Sequence, residues 1–143
     1  MSDTYLVGYD GSKSAKRAVD FAAARANQAG ATIHIVNILE WSPYSFYSAE
    51  ELAQRKKART NEVKRAREVV DPVVAELVGR GLTVTSDVQH GHPAELLCKI
   101  ASQVDATQIV IGRSGDGVLA QRLLGSLAIS LAQVAPVPLT IVP

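Results

Sequence analysis

Residues 109–131 read IVIGRSGDGVLAQRLLGSLAISL. Ile109, Val110 and Ile111 are β-branched and follow one another without a polar break, as in a short strand buried on both faces. Gly112 ends that run. A polar loop with Gly115 and Gly117 follows, and Gly125-Ser126 then opens a second apolar stretch. In it Leu127, Ala128, Leu131 and Val134 fall at helical spacing. The stretch therefore reads as strand, glycine loop, helix, which is the repeating unit of a parallel sheet.

Working outward, the same unit recurs. Tyr5 to Tyr9 is a short strand that stops at Asp10-Gly11-Ser12, a turn signal. Ala15, Ala18, Val19, Ala22, Ala26 and Ala29 then mark a helix, with Gly30 as its C-terminal cap. Residues 32–39 form a second strand. Residues 40–48 have no clear period and read as a loop or flap. Ser48-Ala-Glu-Glu51 is a capping box for a long helix. Its buried stripe is Val63, Ala66, Val70, Val73, Val74 and Leu77. Its first turns, 53–62, carry little apolar content and should project beyond the core. Pro72 predicts a kink or break near 68–72. Gly79 and Gly81 flank the exit, and 82–88 form a third strand. Pro93 opens a third helix with Leu96, Leu97, Ile100, Ala101 and Val104 on its apolar face. Residues 107–111 are the fourth strand and 137–142 the fifth. Strands alternating with helices predict an α/β fold: one open parallel sheet with helices on both faces, in a single domain over 1–143.

Composition narrows the function. The chain is 47% hydrophobic and 20% charged, which suits a packed globule. A net charge of +1 provides no global field for nucleic acid or an anionic membrane. No secretory pattern opens the chain and no apolar run is long enough for membrane insertion, so a cytoplasmic location is expected. Cys98 is a lone cysteine and has no internal disulfide partner.

The glycine loop can be tested against known designs. A Walker loop needs Gly-Lys-Ser/Thr, and Gly125-Ser126 is followed by Leu127. Gly115-x-Gly117-x-x-Ala120 has dinucleotide spacing, but it follows the fourth strand with no acidic residue about 20 positions on. A nucleophile elbow needs Gly-x-Ser-x-Gly, and Gly112-Arg-Ser114-Gly115 is one residue short. What remains is Gly112-x2-Gly115-x9-Gly125-Ser126. Gly112 and Gly115 let backbone amides approach an anion. Gly125 and Ser126 sit at a helix start, where free amides and the dipole favour phosphate. Arg113 and Arg122 can neutralise charge.

That pattern, with Leu6-Val-Gly-Tyr-Asp10-Gly-Ser12 and Gly91-His-Pro93, resembles the universal stress protein family of the nucleotide-binding type along the whole chain. The resemblance implies a Rossmann-like sheet of order 3-2-1-4-5, in which strands 1 and 4 meet at a topological switch point. It implies that Asp10 faces the nucleoside, that Ile38 packs on adenine and that Ile111 floors the pocket. Gly112, Gly115, Gly125 and Ser126 would hold phosphates, with Leu127 extending the helix start. The ligand would be ATP or AMP, with magnesium possible beside ATP, and the partner a second copy joined through the C-terminal strand. The expected role is a dimeric regulatory or stress-response module. A slow ATPase or self-phosphorylating protein, and a nucleotide-independent adaptor for another protein, stay open as alternatives. No residue is assigned a catalytic role.

Other features have plainer readings beside sharper ones. Asp10 could simply cap the first helix. His90 and His92 lack a third metal ligand at matching spacing. His34 reads as structural. Residues 54–69 hold seven of the 15 basic residues, a solvated helix face or a surface for a partner. Residues 41–47 are a lid, a partner patch or a packed loop. Pro136 and Pro138 place the last strand at an edge, either blunted or covered by a dimer partner.

Overall fold

The computed structural model describes residues 3–40, 49–114 and 124–143. Along the chain run β1 (Thr4–Gly8), α1 (Lys13–Ala29), β2 (Thr32–Glu40), α2 (Ala49–Gly79), β3 (Thr83–Gly91), α3 (Pro93–Gln103), β4 (Gln108–Gly112), α4 (Ser126–Val134) and β5 (Leu139–Val142). The sheet order is β3-β2-β1-β4-β5, and every pairing is parallel. This is the α/β architecture and strand order expected above. The Ser48 cap, the 41–47 stretch, Gly115 and Arg122 lie outside the described residues.

Two-residue periodicity along the central strands builds two cores. Val7, Ile33 and Ile35 point to one face and pack with Val19 of α1 and Val70 and Leu77 of α2. Leu6, Val36 and Ile109 point to the other and pack with Leu97 and Ile100 of α3 and Leu131 of α4. Neighbours such as Leu6 and Val7 are both fully buried because the sheet is covered on both sides. Each such side chain stabilises the fold by about 1.5–3 kcal/mol relative to exposure.

The helix ends follow local chemistry. Gly30 takes a left-handed φ of 69° and closes α1, and the N–H of Ala31 returns to the carbonyl of Ala26. Pro93 occupies the first turn of α3, where its missing N–H removes no helical bond.

Three expectations need correction. Pro72 does not break α2, which runs unbroken from Ala49 to Gly79. Pro72 and Glu68 are both exposed, so the carbonyl that loses its donor faces water. Meanwhile Val70 and Val73 hold the helix to the sheet on either side. β5 begins at Leu139 rather than at 137, directly after Pro138. β3 runs on to Gly91 rather than stopping at 88, because it stays paired with β2 up to Glu40. The exposed start of α2 is as expected: residues 53–62 are exposed except for the half-buried Arg55.

Candidate functional site

The strand order reverses between β1 and β4, whose following connections leave in opposite directions. At the C-terminal ends of these strands lies a cavity of about 330 Å³, the position where open parallel sheets hold ligands. It gathers Asp10, Ile38, Ile111, Gly112, Arg113, Gly125, Ser126 and Leu127 in its lining. With Gly115 and Arg122 outside the described residues, these are all the others that the family resemblance and the glycine loop point to as a binding site.

The β1–α1 corner is built by side-chain caps. The Oδ1 of Asp10 accepts from the N–H of Ser12 at 2.9 Å, an Asx turn that holds the carboxylate at the cavity wall. Ser12, not Asp10, caps α1: its Oγ accepts from the N–H of Ala15 at 3.1 Å. Gly11 supplies the turn with a φ of 86°. Ser12→Ala should therefore lower stability by about 1 kcal/mol, read as a shifted urea midpoint with an unchanged slope. An unchanged midpoint would show that α1 is capped another way.

The opposite wall is the glycine loop's stem. Gly112 lies so close to α1 that an added Cβ would sit 2.7 Å from the carbonyl carbon of Ser14 and 2.8 Å from its oxygen. Glycine is thus required here by the packing of β4 on α1, a reason independent of any anion. Next to it, Arg113 donates its N–H to the carbonyl of Val142 at 2.8 Å and accepts from the N–H of Gly125 at 2.9 Å. The N–H of Ser114 reaches the hydroxyl of Ser14 at 3.3 Å. The two ends of the loop are therefore joined before it departs.

Gly125 is the N-cap of α4, with extended φ −66° and ψ 157°, and among the described residues no side chain caps the helix. The first intrahelical bond runs from the N–H of Ile129 to the carbonyl of Gly125. The amides of Ser126, Leu127 and Ala128 consequently have no intrahelical acceptor, and all three residues line the cavity. The dipole of α4 adds positive potential there. Val36, Leu97 and Ile111, all nearly fully buried, make the other side apolar. One cavity thus joins an apolar slot to a cluster of donors.

Sequence reasoning missed several lining residues. Glu40 lines the cavity with Ile38 and Val36, and the signal for it was present: the three alternate along β2 and share a face. Pro93 also lines the cavity, but its position depends on how α3 folds back over the sheet. The remaining candidates have other roles. His34 Nδ1 meets Thr85 Oγ1 at 2.6 Å across β2 and β3. Burial lowers its pKa below the ordinary 6.5, and the nearby Asp87 charge only partly opposes this. His90 pairs with Glu62 at 3.2 Å. Among the described residues no cluster of three His, Cys, Asp or Glu side chains could hold a metal ion. Burial pushes the Cys98 thiol pKa up, away from a reactive thiolate.

The model of the universal stress protein family matches residues 1–143. The chain belongs to the universal stress protein family. A universal stress protein of Thermus aquaticus, from the 3′ region of QAH/OAS sulfhydrylase, is 32% identical over 99% of both chains. A universal stress protein of Mycobacterium tuberculosis is 29% identical over 96% of this chain but only 47% of its own length. The chain spans about half the length of that relative and of the similar mycobacterial relatives it matches. Among solved structures, a universal stress protein in complex with cAMP aligns at a TM-score of 0.66 and 26% identity, over 99% of this chain and 96% of that one. A universal stress protein from Archaeoglobus fulgidus in complex with dAMP aligns at a TM-score of 0.66 and 20% identity, over 100% and 98%. Among the described residues of this universal stress protein, no helix is long and apolar enough to cross a membrane.

Proposed function

We propose that this universal stress protein binds an adenine nucleotide, ATP or AMP, in the cavity between β1 and β4. The observation that carries the reading is one cavity that sets Ile38 and Ile111 opposite the uncapped start of α4. The base stacks against the apolar side and Asp10 accepts from the nucleoside. The phosphates lie along Gly112, Arg113 and Gly125 and against the first-turn amides of α4 at Ser126 and Leu127. Gly115 and Arg122 complete the phosphate loop. Relatives of this fold solved with cAMP and with dAMP support adenylate as the ligand class. Magnesium arrives with the triphosphate, coordinated mainly by phosphate oxygens.

The protein works in the cytoplasm as a dimer joined through β5, and nucleotide occupancy changes its shape or its partner. Such a change requires the nucleotide to bind two states unequally. Natively purified protein, denatured and examined by mass detection, should release a near-stoichiometric adenine nucleotide. Added ATP or AMP at 100 times its Kd should raise stability by about 2.7 kcal/mol. No released nucleotide, together with an unmoved thermal midpoint at millimolar ATP and magnesium, would sink the reading.

A further inference from the structure

Among the described residues, none of α2 lines the cavity. Two contacts with β3 fix its register on the sheet: Arg67 Nη1 donates to Ser86 Oγ at 2.9 Å, and Glu62 Oε2 meets His90 Nε2 at 3.2 Å. As the strand runs toward its end, the helix runs back toward its start. Glu62 is therefore level with the end of β3 at Gly91, which is also the end of β2. The residues of α2 before Glu62 overhang the sheet by about 20 Å, at the end where the cavity opens.

This overhang and the turn beneath it are cationic. Over 49–67 there are seven basic residues and three acids, a net of four positive charges, so the rest of this +1 chain carries a net of three negative charges. Lys56, Lys57, Lys64 and Arg65 are exposed. At 100° per residue Lys57 and Lys64 share a stripe, with Lys56 and Arg65 on either side of it, so the four cations cover one half of the helix surface. Ala53 and Ala58 are the only apolar residues in 53–62.

We propose that the overhanging part of α2 is a docking arm for a short acidic protein segment. Charge complementarity selects an anion, and the rest of the molecule selects its size. A long polyanion reaching past the arm meets a body of net negative charge. A segment of roughly arm length stays within about 8–10 Å of the cations, inside one Debye length. The arm lacks the apolar face that an interfacial helix inserts into lipid. With no aromatic residue between 49 and 79, it has no stacking platform for bases.

The test is fluorescence anisotropy with a labelled peptide of glutamate and glycine spanning about 20 Å, in low salt, without nucleotide. Binding is expected, and so is a steep loss of it when salt is raised. Joint reversal of Lys56, Lys57, Lys64 and Arg65 to Glu should weaken the peptide at least tenfold, with an unchanged nucleotide-induced thermal shift. The milder Lys56→Gln/Lys57→Gln protein, altered only at exposed positions, should lose affinity severalfold and serves if the fourfold variant does not fold. The proposal is overturned if the peptide fails to bind, or if charge removal leaves its affinity intact. It is equally overturned if duplex DNA or phosphatidylserine vesicles bind more tightly than the peptide. Because no arm residue lines the cavity, these outcomes are independent of the nucleotide reading.

Discussion

Gly112→Ala is expected to destabilise the protein by about 3 kcal/mol, at the upper end for an added methyl group in a packed site. The new Cβ would overlap Ser14 Oγ and lie 2.7 Å from the Ser14 carbonyl carbon and 2.8 Å from its oxygen. A rotamer change relieves the first contact only. The other two are backbone atoms in the first turn of α1, whose position is held by the Ser12 cap. Relief therefore requires β4 and α1 to separate. Separation also disturbs the bond from Ser114 to Ser14, and with it the stem of the glycine loop. The decisive control is Gly112→Ala combined with Ser14→Gly. Removing the hydroxymethyl group leaves the backbone overlap, so stability should stay low. Full recovery in urea denaturation would mean that only the side chain mattered. Gly8 provides the contrast, because a Cβ there meets Ile111 Cγ2 at 3.5 Å and Leu97 Cδ1 at 3.8 Å, ordinary contact distances.

The same glycine marks how far sequence reasoning reaches. Gly112 was legible as the end of a strand and the start of a permissive loop, because β-branched residues precede it and polar ones follow. Its closeness to Ser14 was not legible, since 98 positions separate the two in the sequence and only the crossing of α1 over β4 brings them together. The alternation of strands and helices was visible in local periodicity. The order β3-β2-β1-β4-β5 was not, because period says which face a residue takes and not which strand lies beside it. That order came from the family resemblance. Pro72 misled for a related reason: an interior proline loses a hydrogen bond and brings a ring clash wherever it sits, and only the packing of Val70 and Val73 on either side shows why α2 stays helical through it. Glu40 shares a strand face with Ile38 and lines the same cavity, but a charged residue at the end of a strand pattern reads equally as a solvated strand end. Tertiary placement separated the roles of Asp10 and Ser12, which compete for the same cap in the sequence. The carboxylate braces the turn and the hydroxyl caps the helix.

Leu97→Ala should destabilise the fold by about 3 kcal/mol, within the usual range for a buried leucine, and should also weaken the nucleotide proposed to bind here. Leu97 is fully buried in α3 among Leu6, Ile100 and Ile111, yet it also forms part of the cavity lining. Truncation therefore acts twice: the core loses a packed side chain, and the slot for an apolar ring loses part of its wall. Leu77→Ala separates the two effects. Leu77 is equally buried, but it belongs to the core on the other face and does not line the cavity. Its loss should lower stability to a similar extent while nucleotide affinity, measured calorimetrically well below either unfolding transition, stays near that of the parent. If both substitutions weaken the nucleotide alike, global loosening rather than the cavity wall sets affinity. If Leu97→Ala destabilises without any change in affinity, the base does not use the apolar slot between β1 and β4. In that case the nucleotide would be held through the phosphate end alone, where the free amides of α4 and the pinched stem at Arg113 and Gly125 do not depend on the size of residue 97.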